Sequence, residues 1–192
     1  MKIPNPARHR KSNSSKQLLD KQTRKISKER KVKQPLTEKY IKQLINAAEG
    51  REERIIRIML ETGMHPAVMS DPAVHEMEID KDRLVWRRPK TFAFCVWEFE
   101  KEGFNSGVID VFLENDLGFR RETYYSDVKK AAARAGLKYI SPLTLRHTGV
   151  VVRFERGETP EQVQAIWRMS TEVLWGNYAK FMGIEVRRQT GD

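Results

Sequence analysis

The sequence has 192 residues, 32% of them charged, with one cysteine and a formal net charge of +10. That is enough for one ordinary domain with its own core, plus a tail. No apolar run approaches a membrane span, the N-terminus has no apolar signal core, and Cys95 alone can build neither an internal disulfide nor a cysteine-based zinc site, so the chain reads as cytoplasmic.

The charge is unevenly placed. Residues 1–35 hold twelve Lys and Arg against only Asp20 and Glu29, whereas the remainder carries 24 basic and 24 acidic side chains. Residues 1–34 contain few apolar side chains and cannot bury a core. They read as a disordered basic arm that grips a polyanion, DNA or RNA, through phosphates without reading sequence. Lys21, Arg24, Lys25, Lys28, Arg30, Lys31 and Lys33 are its candidate contacts.

The folded domain is expected over 35–183, followed by a tail over 184–192. Thr37 is a good helix N-cap, and Tyr40, Ile41, Leu44, Ile45 and Ala48 follow at helical spacing until Gly50 ends the run. A second helix is expected over about 51–61 with Ile55, Ile56, Ile58 and Met59 as its buried stripe, stopping at Thr62-Gly63. Pro66 and Pro72 then break the chain into short pieces.

At 83–99 the period changes. Arg83–Arg88 reads as one strand and Phe92–Phe99 as a second, joined through Pro89-Lys90-Thr91 into a β-hairpin with a lysine at its tip. Phe92, Phe94, Trp97 and Phe99 are expected in the sheet and core. Helices follow at about 107–115 and 122–135, the latter ending near Gly136. Ser141-Pro142 and Thr159-Pro160 each offer an N-cap followed by proline at the first helical position, the second with a capping box to Gln162. Gly157 turns the chain between them. A last helix, about 171–181, carries Val173, Leu174, Tyr178 and Phe181, with Trp167 and Trp175 as core or interface. The fold class is mainly α (α+β): about seven helices and a small β-hairpin sheet.

Leu145-Arg146-His147-Thr148, Gly157 and Tyr178, thirty-two residues after Arg146, resemble without a gap the catalytic domain of tyrosine recombinases, the phage-integrase family. Thr62-Gly63 also lies where that family has a threonine–glycine turn. The resemblance implies an integrase-type catalytic core over about 35–182 that cleaves and rejoins double-stranded DNA through a 3′-phosphotyrosine intermediate, for integration or recombination, with no metal or cofactor. It implies Tyr178 as nucleophile, Arg146 as the second arginine on the phosphate, and Lys90 as the acid that protonates the leaving 5′-oxygen, with Arg87, Arg88 and His147 on the DNA.

Three family positions depart. His65 stands where a first arginine is expected, Leu143 where a histidine precedes Arg146, and Met169 where a second histidine precedes Tyr178, with Arg168 replacing the glycine before it. His65, just before Pro66, reads first as a structural replacement; as a candidate substitute it would donate to phosphate and, when protonated, serve as a partial cation. Arg168 is the other candidate substitute, which would have to swing toward the lost positions. The family implies a synaptic tetramer, or a longer partner recombinase, and a nucleoid-associated setting. The family's separate DNA-clamping domain has no counterpart expected in this chain. A catalytically degenerate DNA-binding relative, acting as an accessory or regulatory factor, is the alternative reading.

Overall fold

The computed structural model describes residues 34–181, so the arm residues up to Lys33 and the tail after Phe181 lie outside the described residues. Along the chain come α1 (Glu38–Ala47), α2 (Arg51–Thr62), α3 (Pro66–Ser70), β1 (Glu78–Asp80), β2 (Arg83–Arg87), β3 (Phe94–Glu98), α4 (Ser106–Asn115), α5 (Arg121–Arg134), α6 (Pro142–Glu155), α7 (Pro160–Trp167) and α8 (Thr171–Tyr178), with a closing 3₁₀ turn at Ala179–Phe181. Among the described residues this is mainly helical, with one three-stranded antiparallel sheet in the order β1-β2-β3.

The apolar stripe of α2 drives the larger core. Ile55, Ile56, Ile58 and Met59 are all fully buried, packed with Leu44 of α1 and Val128 and Ala131 of α5. A smaller core gathers Val150 and Val151 of α6, Val163 and Trp167 of α7, Met169, and Leu174 and Tyr178 of α8. The expected capping box of Thr159 with Gln162 forms, and Ser141 makes a second one with Thr144, each cap residue standing directly ahead of a proline. Thr37 takes the N-cap position of α1 without a side-chain bond, so only its carbonyl serves the helix, accepting from Ile41 N at 2.9 Å. Gly50 does not end α1, which stops at Ala47; its φ of +50° instead starts α2.

The additional helix and strand are both very short. Pro66 begins α3 rather than breaking the chain, because His65 caps the helix and proline suits its first position. Strand β1 pairs all three of its exposed residues with β2, a pattern with no apolar period to signal it. The hairpin loop is also longer than expected. Phe92 takes a left-handed φ of +53° and leaves the sheet, so β3 begins at Phe94. Phe92 and Phe94 are 68% and 43% exposed, while Trp97 and Phe99 on the opposite face are buried.

A candidate phosphate and tyrosine site

The turn after α2 is built for a close approach. Thr62 Oγ1 donates to Ile58 O and accepts from Met64 N, and Gly63 ends the helix with φ +60°. A side chain on Gly63 would stand 1.8 Å from the Trp167 ring, and one on Gly149 would stand 2.0 Å from Leu60 O and 2.7 Å from the same ring. Two missing Cβ atoms therefore let Trp167 slot between α2 and α6. Arg146 lies along this ring, its guanidinium 5.3 Å from the centroid, while its Nη1 donates to Gly63 O at 2.6 Å. Trp167, expected as core or interface, also holds the arginine in place by stacking.

A cavity of about 380 Å³ opens in front of Arg146. Around it stand Arg88 and Lys90 of the hairpin loop, His65, Leu143 and Trp167, and no Asp or Glu is among its lining residues. The electrostatics agree. Burial and the charges of Arg121, Arg146 and Lys90 push His65 down to about 4. Desolvation is the main force on Arg146 too, with Arg88 adding to it, and brings Arg146 to about 10; it remains a cation at neutral pH. Lys90 sits at the exposed loop tip, between β2 and β3.

Other candidates lie differently. His65 is not a cation here: its Nδ1 accepts from Ala67 N at 3.1 Å as the cap of α3, so that nitrogen carries no proton. Arg168 does not turn toward the cavity. It closes α7 in a left-handed conformation, its Nε donates to Phe94 O at 2.9 Å, and its own carbonyl accepts from Arg88 Nη1. Arg87 is paired with Glu76 at 2.5 Å and stacks on Phe94. Leu143 is 49% exposed at the cavity rim, and Met169 is buried in the smaller core.

Tyr178 lies outside the cavity's lining residues and is only 2% exposed. Its hydroxyl is 2.6 Å from His147 Nδ1. Burial pushes the phenol up to about 12, and Arg146 pulls the other way, so the cation lies within electrostatic reach of the hydroxyl. Consecutive residues of α6 thus serve two sides: Arg146 faces the cavity and His147 faces Tyr178. The only sequence signal for the second was adjacency. Among the described residues no three His, Cys, Asp or Glu side chains are grouped to hold a metal ion, and no helix is long and apolar enough to cross a membrane.

No family model matches the sequence, and no curated protein matches it. Solved structures do. The XerA recombinase matches with a TM-score of 0.58 at 17% identity, over 88% of this chain and 71% of its own. The catalytic domain of bacteriophage HP1 integrase matches with a TM-score of 0.56 at 20% identity, over 77% of this chain and 87% of its own. A lambda integrase dimer bound to a COC' core site matches with a TM-score of 0.57 at 14% identity, over 82% of this chain but 49% of its own, so the chain spans about half of that relative. The expected fold class is the observed one: the chain has the fold of tyrosine recombinase (integrase) catalytic domains.

Proposed function

From that fold as premise, we propose that this chain binds double-stranded DNA and cleaves and rejoins one strand through a 3′-phosphotyrosine at Tyr178, in DNA integration or recombination. The observation that carries it is the cavity in which Arg146, Arg88 and Lys90 converge with no carboxylate among the lining residues. Converging cations without acids suit a phosphodiester, and Arg146 stays charged although largely desolvated.

In the proposed reaction Tyr178 Oη attacks phosphorus in line. The P–O5′ bond breaks, Lys90 gives its proton to the leaving 5′-oxygen, and the 3′-phosphate remains on the tyrosine. Arg146 and Arg88 offset charge on the non-bridging oxygens, where one preorganised donor is worth on the order of 10²–10³ in rate. His65 Nε2, the nitrogen left to carry the ring proton, supplies a neutral donor from the cavity wall. The bond energy is stored in the phosphotyrosine, and a 5′-hydroxyl attacking in reverse rejoins the strand. The proposed reaction uses no metal or cofactor. The protein acts as a homo-oligomer on the duplex or beside a longer recombinase, in the cytoplasm at the nucleoid, with the basic arm adding phosphate contacts.

A second reading, a DNA-binding relative that does not cleave, is favoured by one feature: Tyr178 is buried and outside the cavity lining. Covalent trapping on nicked duplexes separates the two. Wild type is expected to leave a protein–DNA adduct on a denaturing gel, and Tyr178→Phe none, with DNA affinity unchanged. Arg146→Ala is expected to lose both adduct and affinity. Equal, salt-sensitive binding by wild type and Tyr178→Phe, without an adduct on any duplex tried, favours the second reading.

A further inference from the structure

The molecule contains its own control for what a buried tyrosine hydroxyl ordinarily does. Tyr124 is fully buried and its hydroxyl rests against two main-chain carbonyls, Met69 O at 3.0 Å and Asp116 O at 2.9 Å. These satisfy the O–H and can never take its proton. Tyr178 is as deeply buried, yet its hydroxyl meets an imidazole nitrogen at 2.6 Å. Burial pushes both phenols up, each to about 12. Only one of them has a base in contact.

That base is fixed by the helix that carries Arg146. His147 follows it directly on α6, whose start is tied by the Ser141–Thr144 capping box. The ring lies tilted at 46° to that of Tyr178, with centroids 5.4 Å apart. Chemistry supplies the rest. A phenol attacking phosphorus must lose its proton as the P–O bond forms, and a neutral acceptor within hydrogen-bond reach is what general base catalysis requires.

We propose that His147 is the proton acceptor for Tyr178, a catalytic role that rests on the cleavage reading above. In the forward step the Oη–H proton passes to bare Nδ1 as the Oη–P bond forms. His147 becomes an imidazolium while Lys90 loses a proton to the 5′-oxygen, so charge is conserved across the site. In rejoining, the departing Tyr178 oxygen takes its proton back from Nδ1. The proposal fixes the resting tautomer: hydrogen on Nε2, none on Nδ1.

The test uses the full chain on a nicked duplex in two forms, one with the ordinary bridging 5′-oxygen and one with sulfur in its place. A thiolate leaves without being protonated, so the sulfur substrate bypasses Lys90 and leaves the tyrosine's own proton as the remaining demand. His147→Gln keeps an acceptor for the hydrogen bond but no base. It is expected to form adduct on the order of 10²-fold more slowly on both substrates, with unchanged DNA affinity, whereas Lys90→Ala is slow on oxygen and restored on sulfur. A His147→Gln rate equal to wild type, or restored by sulfur, overturns the role of His147 and leaves the cleavage reading standing. No adduct from wild type even with sulfur removes both. Should His147→Gln fail to fold, nitrogen NMR of the wild-type ring decides: a bare Nδ1 that responds to Tyr178→Phe supports the assignment, and a protonated Nδ1 at neutral pH sinks it.

Discussion

His65 shows how a helix start can set a side chain's charge. Because Nδ1 accepts the Ala67 amide, protonating the ring means breaking the cap of α3 in addition to adding charge beside Arg121, Arg146 and Lys90. The folded value near 4 lies below the ordinary 6.5. The unfolded chain therefore binds the extra proton first. His65 contributes stability that is fully present above pH 6.5 and is lost as the pH falls toward 4. His65→Asn keeps a capping oxygen and removes the titration. Wild type is expected to lose on the order of 1 kcal/mol relative to this variant between pH 7 and pH 5, a figure already reduced for the ring's partial exposure. Parallel urea midpoints for the two proteins across that range would remove the explanation.

At the scale of elements, α2, α6 and α7 are locked by a tryptophan between two glycines. Trp167 is 1% exposed, and Gly149 brings the α6 backbone against Leu60 O of α2. A methyl at Gly149 has backbone on one side and the ring on the other, so neither neighbour can yield cheaply. Gly149→Ala is expected to destabilise by about 3 kcal/mol, at the upper end for overpacked cores, read as a shifted denaturant midpoint. Because Trp167 also carries Arg146, the same variant should weaken DNA binding even where it still folds. A stable Gly149→Ala protein with wild-type affinity contradicts this coupling. The nearby cluster of buried Arg153 with Glu61, Glu102 and Glu158 braces α6 from the other side, with contacts of 3.5, 3.1 and 2.9 Å. Three carboxylates around one guanidinium leave it net negative, so it adds nothing to the positive field at the cavity.

For the whole molecule, charge is divided by segment. The arm carries the entire excess of +10, and the remainder is neutral overall. Several arginines away from the cavity lining are paired with acids, Arg51 with Asp127, Arg54 with Asp116 and Arg87 with Glu76, whereas the cations lining the cavity have no acid among the lining residues. Affinity for duplex DNA is thus expected to fall steeply with salt. Deleting residues 1–34 should flatten the log–log slope by up to about nine, since each neutralised phosphate contributes roughly 0.9. Anisotropy titrations over a salt series measure this directly. An unchanged slope would assign all phosphate contacts to the domain.

The sequence alone determined the order of the longer helices, the buried stripe of α2, the two proline-led helix starts and the spacing of Arg146 to Tyr178, because caps, periodicity and chain distance are local properties. It also placed Lys90 on a hairpin, though not the loop's length, since Phe92 leaves its strand for a left-handed turn that its β-forming character opposes. The five-residue helix α3 and the three-residue strand β1 escaped because elements so short carry no period. Only the tertiary structure decided which cations share a cavity, that Arg168 is held on Phe94 O, that His65 is neutral, and that His147 meets Tyr178. Those are meetings of side chains from different elements. Sequence spacing does not encode them, because they depend on how α2, α6, α7 and the sheet pack around Trp167.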